Sequence, residues 1–200
     1  MKYGMYYNYH GVGDVLLIKF SEDTPNKVVK VNDVVALYKD EKLVGYNIFS
    51  IKKVMKIKTT GLILNPPHEF MDVVNNILKN AGFAELPMQN TSGFVVGYIE
   101  NAEKLKDSDH LTLCKVRVNE EKTLQIVCGA SNCEAHKKVV VATDNTFMFD
   151  GSIIKSGELR GIKSEGMLCS SKELNFPPEK QSPGILILPD NSIVGSDVFK

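Results

Sequence analysis

Residues 153–174 read IIKSGELRGIKSEGMLCSSKEL, and this stretch restricts the fold more than any other. It holds three glycines, one arginine, three lysines and three acidic residues. A segment so polar and so often broken by glycine predicts neither a core strand nor a steady helix. Gly161 and Gly166 accept backbone angles that other residues resist. The expectation is a sharply turning loop that holds Ser164, Glu165 and backbone N–H groups at a surface. The same residues also fit a plain connection that buries Met167, Leu168 and Cys169 as an apolar plug, since most loops are not sites.

Around this stretch, the second half of the chain alternates short β-branched runs with turn residues. Residues 94–99, 111–118, 123–127, 138–143 and 185–188 read as strands. Five short strands with one long connection predict an OB-fold, a small Greek-key barrel. Residues 119–122 make a hairpin turn, 131–136 a short turn or helical piece, and 147–151 a loop with apolar anchors.

The first half predicts a small α+β domain of antiparallel strands plus one helix. Strands are expected over 3–9, 14–20, 26–31, 34–38 and 43–48, with a turn at 10–13. Residues 51–57 alternate apolar and basic side chains through Lys52, Lys53 and Lys56, with Lys58 just beyond. That pattern reads as the solvated face or edge of a strand, with phosphate contact as the alternative. Asn65-Pro66-Pro67 is a stop, and Phe70, Val73, Val74, Ile77 and Leu78 then recur at helical spacing over 68–80. Ala81-Gly82 closes that helix. Residues 85–93, ELPMQNTSG, read as an exposed linker, which sets domains at 1–90 and 91–200.

Composition narrows the function. The first ninety residues carry 11 lysines and no arginine against 9 acids; the remainder carries 13 basic and 15 acidic residues. A general nucleic-acid binder shows a basic excess, so RNA binding here requires a local patch and a shape match. No apolar run is long enough to cross a bilayer. The N-terminus lacks the pattern of an export signal, so a cytoplasmic protein is expected. Cys114, Cys128, Cys133 and Cys169 read as small buried thiols. Cys128, Cys133 and His136 lack the spacing of a zinc site, and no metal or cofactor is expected. No phosphate-binding glycine motif and no nucleophile–base pattern is present.

Several blocks in the second half resemble, in order, the EMAP-type tRNA-binding module. That module also occurs in the beta subunit of bacterial phenylalanyl-tRNA synthetase and in the YtpR proteins. Phe94-Val95-Val96-Gly97 is similar to its first strand, and the block from Asp109 through His110-Leu111-Thr112-Leu113-Cys114-Lys115-Val116 to its second. Ile126-Val127-Cys128-Gly129-Ala130-Ser131-Asn132-Cys133 resembles its next element, with Ser131 where proline is usual. Ser164-Glu165-Gly166-Met167 falls in its signature. Leu105-Lys106 stands where the family often carries His-Pro.

The resemblance implies a bacterial, noncatalytic protein that recognises folded tRNA largely by shape. It places the loop 160–167 on the binding face, where side-chain chemistry predicts Arg160 and Lys163 on phosphate, Ser164 on phosphate or a 2′-hydroxyl, and Met167 against a base or ribose. Glu165 accepts from a base edge or holds the loop, and Lys115 and Asn132 flank the site. It also implies a homodimer and a possible synthetase or translation-factor partner. The alternative is a protein-interaction module that docks on a synthetase or ribosomal partner, which the neutral charge favours.

Overall fold

The computed structural model describes residues 2–200 apart from Asp107 and Asp109. Asp109, the first residue of the block likened to the family's second strand, therefore lies outside the described residues. The chain is mostly β and divides into two units. One runs to Asn90 and takes in Asp150–Ser152; the other is Thr91–Phe149 with Ile153–Lys200.

The first unit contains β1 (Gly4–Tyr7), a helical turn α1 (Tyr9–Val12), β2 (Val15–Lys19), β3 (Lys27–Val31), β4 (Val34–Lys39), β5 (Lys42–Phe49), β6 (Gly61–Ile63) and the helix α2 (His68–Asn80). Its antiparallel sheet runs β3-β4-β5-β2-β1-β6. Strand alternation sends Met5, Tyr7, Leu16, Ile18, Val34, Ala36, Tyr46 and Ile48 into one core with Met71, Val74 and Leu78 of α2. The helix ends where the periodicity predicts. Gly82, at φ +76°, lets Phe83 N–H donate to Leu78 O and Gly82 N–H to Lys79 O, both at 2.9 Å. This is a Schellman cap, and it satisfies carbonyls the helix end would otherwise leave open.

Three expectations change here. Residues 51–57 are not a strand. Ser50 takes φ +55°, which turns the chain out of β5 into a 3-10 turn at Ile51–Lys53. The Asp14 carboxylate secures that turn by accepting from Lys52 N–H at 3.2 Å. The turn expected at 10–13 is helical and capped by Asn8, whose side chain accepts from Gly11 N–H. Residues 85–89 are not a loose linker. Asn75 grips Leu86 through both backbone groups, at 2.7 and 2.9 Å. Gln89 does the same to Tyr3, and the Tyr3 hydroxyl donates to Pro87 O at 2.6 Å.

The second unit contains β7 (Phe94–Lys104), β8 (Thr112–Arg117), β9 (Thr123–Cys128), β10 (Lys138–Thr143), β11 (Thr146–Phe147), β12 (Ile153–Ile154), β13 (Gly157–Leu159), β14 (Ile162–Ser164), β15 (Gly166–Leu168) and β16 (Ile187–Leu188). The main sheet runs β15-β10-β7-β8-β9, with β16 also on β10. The long β7 serves β10 with its first half and β8 with its second, and its register shifts between Ile99 and Asn101. Gly97 lets β7 pack closely under its neighbours, since a Cβ there would lie 2.5 Å from Val141 Cγ2 and 2.8 Å from Val116 Cγ1.

The strand beside β10 corrects two expectations. It comes from the Gly-broken stretch itself, as Gly166–Leu168, with Leu168 buried. The last strand expected, 185–188, contributes only the two-residue pairing of β16. Gly166 makes the approach possible, since a Cβ would sit 2.7 Å from Ala142 O.

Asn75→Ala should destabilise the protein by about 1–3 kcal/mol, the usual cost of leaving buried backbone groups without partners. Urea unfolding with an unchanged slope and a lower midpoint would show it. An unchanged midpoint would mean that residues 85–89 are not anchored this way.

Candidate nucleic-acid interface

The residues singled out in the sequence come from three places. Lys115 is exposed on β8, between the buried Cys114 and Val116. Its partner across the ladder is Gln125 of β9. Arg160 sits at the tip of the β13–β14 hairpin, where Leu159 pairs with Ile162. Arg160 at φ +52° and Gly161 at φ +77° give both central residues the left-handed backbone that suits a two-residue hairpin turn. The hairpin is largely exposed, and Arg160 is exposed at its tip.

Lys163, Ser164 and Glu165 follow, and they are fastened to β9. Glu165 N–H donates to Gln125 O at 2.8 Å, and Gln125 N–H donates to Glu165 Oε2 at 3.0 Å. Val127 N–H donates to Ser164 Oγ at 3.1 Å, and the Ser164 hydroxyl donates to Gly166 O at 3.2 Å. Gln125 Nε2 donates to Lys163 O at 2.8 Å. Lys163 Nζ pairs with Glu165 Oε1 at 2.7 Å. The hydrogen bond from Lys163, followed by that from Gln125 N–H, holds the Glu165 carboxyl below the usual carboxylate range. Of the two roles the sequence left open for Glu165, the geometry displays the loop-holding one. Gln125 is central to this fastening, and the sequence offered no signal for it beyond strand alternation.

Asn132 stands apart on the loop after β9. Its side chain grips Ile185 through both backbone groups, each at 2.9 Å. Met167 is half-buried and opposite Ala142. It lines a cleft of about 380 Å³ with Val127, Gly129, Ala130, Ser170 and Glu173. The structure thus brings Lys115, Lys163, Ser164 and Glu165 to one outward face across β8, β9 and β14. Arg160 extends from that face, Met167 lies on the neighbouring cleft, and Asn132 is tied to a separate loop.

The cysteines are buried and unpaired by disulfides. Cys114 Sγ and Cys133 Sγ are 3.0 Å apart, and this contact pushes the Cys133 thiol up to about 12. Burial does the same for Cys169, also to about 12. His136 contacts the Tyr98 hydroxyl through Nδ1 at 2.9 Å. Among the described residues, no group of His, Cys, Asp and Glu is arranged to hold a metal ion, and no helix is long and apolar enough to cross a membrane.

Residues 94–197, more than half the chain, match the family described as "Putative tRNA binding domain". The chain belongs to this family. Residues 21–87 match a second family, described as a domain of unknown function. A Bacillus subtilis (strain 168) protein named "Putative tRNA-binding protein YtpR" is 42% identical over 200 residues, covering 98% of each chain. The phenylalanine–tRNA ligase beta subunit of Lactiplantibacillus plantarum is 37% identical over 154 residues, covering 72% of this chain and 19% of that subunit. Its Streptococcus mutans counterpart is 37% identical over 138 residues, covering 67% and 17%. With the synthetase subunits, this family member therefore shares a segment under a fifth of their length.

The hold of Glu165 on β9 should depend on pH. Its depressed pKa gives a contribution that is complete above the ordinary value of 4.5 and is lost as pH falls through the lower folded value. Thermal melts below pH 4.5 should fall more steeply for wild type than for Glu165→Gln. Parallel curves would show that the ionised carboxylate does not hold the loop.

Proposed function

We propose that the chain is a noncatalytic, cytoplasmic tRNA-binding protein that recognises folded tRNA largely by shape. In this reading residues 91–200 are an OB-fold in which the β9 and β15 edges close a barrel, and residues 1–90 are an attached α+β domain. The observation that carries the reading is the cationic face of Lys115 on β8 with Lys163 and Arg160, whose segment is fastened to β9 by Glu165 and Ser164. It occurs in a chain whose 42% identity to a protein named for tRNA binding spans both units. OB-folds bind oligonucleotides on such a face and its loops.

Arg160 and Lys163 take phosphate, with Lys115 flanking. The Ser164 proton is held by Gly166 O, so its oxygen accepts from a 2′-hydroxyl, the group that distinguishes RNA. Met167 packs against a base or ribose at the cleft, and Asn132 shapes the cleft wall through Ile185. A homodimer would present two such faces. A second reading is favoured by the formal net charge of zero: the face docks on a synthetase or ribosomal protein.

A salt titration of tRNA binding distinguishes them. Affinity should fall with salt at a slope of roughly 0.7–0.9 per phosphate neutralised. Arg160→Ala should weaken binding and flatten the slope by about one unit, whereas Met167→Ala should weaken binding at unchanged slope. Folded tRNA should outcompete unstructured RNA of equal length. No binding by wild type at low salt, or wild-type binding by both folded variants, would remove the RNA role of this face and favour protein docking.

A further inference from the structure

The first unit's sheet is electrically polarised along its strands. At one end lie the loops 20–26 and 40–41, which hold Glu22, Asp23, Asp40 and Glu41. Two lysines at that end pair with acids: Lys27 with Glu41 at 3.3 Å and Lys42 with Asp23 at 3.1 Å. The opposite end is formed by residues 8–14, 32–33 and 50–60. It carries His10, Lys52, Lys53, Lys56 and Lys58 against Asp14 and Asp33. No acidic residue occurs between Glu41 and Glu69. Asp14 is occupied by the Tyr7 hydroxyl and Lys52 N–H, and Asp33 lies 3.6 Å from Lys53.

The segment after the 3-10 turn displays its charges. Met55 and Ile57 pack against the core, which leaves the alternating Lys56 and Lys58 exposed. Tyr9, at the same end of the sheet, is 45% exposed, with Lys52 Nζ 3.0 Å from its ring centroid and His10 edge-on at 5.7 Å. Val12 and Val54 are each 57% exposed. Cations interleaved with an exposed aromatic ring form the pattern that tracks a nucleic-acid backbone while stacking an unpaired base. A protein partner with an acidic surface would use the lysines but would not need the ring.

We propose that this end of the first unit is a second RNA-contact surface, where Lys52, Lys56 and Lys58 take the sugar–phosphate backbone of tRNA and Tyr9 stacks on an unpaired base. The inference rests on the tRNA-binding reading but uses none of the residues assigned to the hairpin face. It gives the first unit a role in the same binding event.

The test is a salt titration of tRNA binding by the full chain, with circular dichroism to confirm folding. Lys56→Ala/Lys58→Ala should weaken binding and flatten the log–log slope by about 1.4, two phosphates at roughly 0.7 each. Tyr9→Ala should weaken binding at unchanged slope. Lys27→Ala/Lys42→Ala makes the same charge change at the acidic end and should leave the slope alone. If both lysine pairs flatten the slope equally, the effect is one of net charge and the surface is not a site. If Lys56→Ala/Lys58→Ala binds as wild type while Arg160→Ala does not, this proposal falls and the hairpin reading stands. The reverse pattern keeps this surface and removes the hairpin. A wild-type chain that binds no tRNA overturns both.

Discussion

The N–H groups of Gln125 and Val127 face away from β8 toward a segment that has no strand carbonyl for them, and Glu165 Oε2 and Ser164 Oγ take those places. An open strand edge is a row of unpaired polar groups that must be covered or paired. Each such group left unsatisfied on burial costs about 1–3 kcal/mol. Using side-chain oxygens as the acceptors lets residues 162–165 lie against β9 without running as a regular strand. Gly166 can then turn directly into β15 against Ala142. The hairpin that carries Arg160 projects from this fastening, so its hold on β9 depends on the side chains of Ser164, Glu165 and Gln125 and on the Glu165 N–H bond rather than on a regular ladder with β9.

The same fastening sets the electrostatics of the face. Lys163 is bonded to Glu165, so its charge is partly met within the protein. A phosphate arriving at Lys163 would share the ammonium with Glu165 Oε1, while Oε2 keeps its bond to Gln125 N–H. Exposed ion pairs of this kind contribute little to stability, so reorganising one on binding is inexpensive. With equal numbers of basic and acidic residues over the whole chain, long-range attraction of RNA is weak. Local arrangement has to supply it; on the surface proposed for the first unit, the loops rich in acids and the exposed Lys56 and Lys58 lie at opposite ends of one sheet.

The sequence was legible where a pattern is long enough to repeat. Helix α2 has thirteen residues, and its apolar face and closing glycine were plain. β15 was not, because three residues cannot show alternation and its first is a glycine chosen for close approach to Ala142. The alternation of 51–57 misled for the opposite reason: Met55 and Ile57 do point inward and Lys56 and Lys58 outward, but the left-handed Ser50 and the Asp14 carboxylate had already turned the chain. The candidate residues Ser164 and Glu165 were visible as types. Their partners on β9 lie nearly forty residues away, and only folding shows which hydrogen-bonding atoms remain available.

That commitment of atoms bears on how the face can discriminate. Reading base sequence requires donors and acceptors held open toward base edges. Here the Ser164 hydroxyl donates to Gly166 O, both Glu165 oxygens are engaged, and Asn132, on its separate loop, uses its oxygen and its amide nitrogen on Ile185. What the hairpin presents instead is an arginine on a left-handed turn, a lysine, and the 44% exposed Leu159. An arginine can also read a guanine edge, but a lysine shared with Glu165 and an apolar leucine fit a backbone path and a contour. On the reading proposed above, such a face would select the folded shape of an RNA, because the placement of a few cations is the main discriminating element it retains.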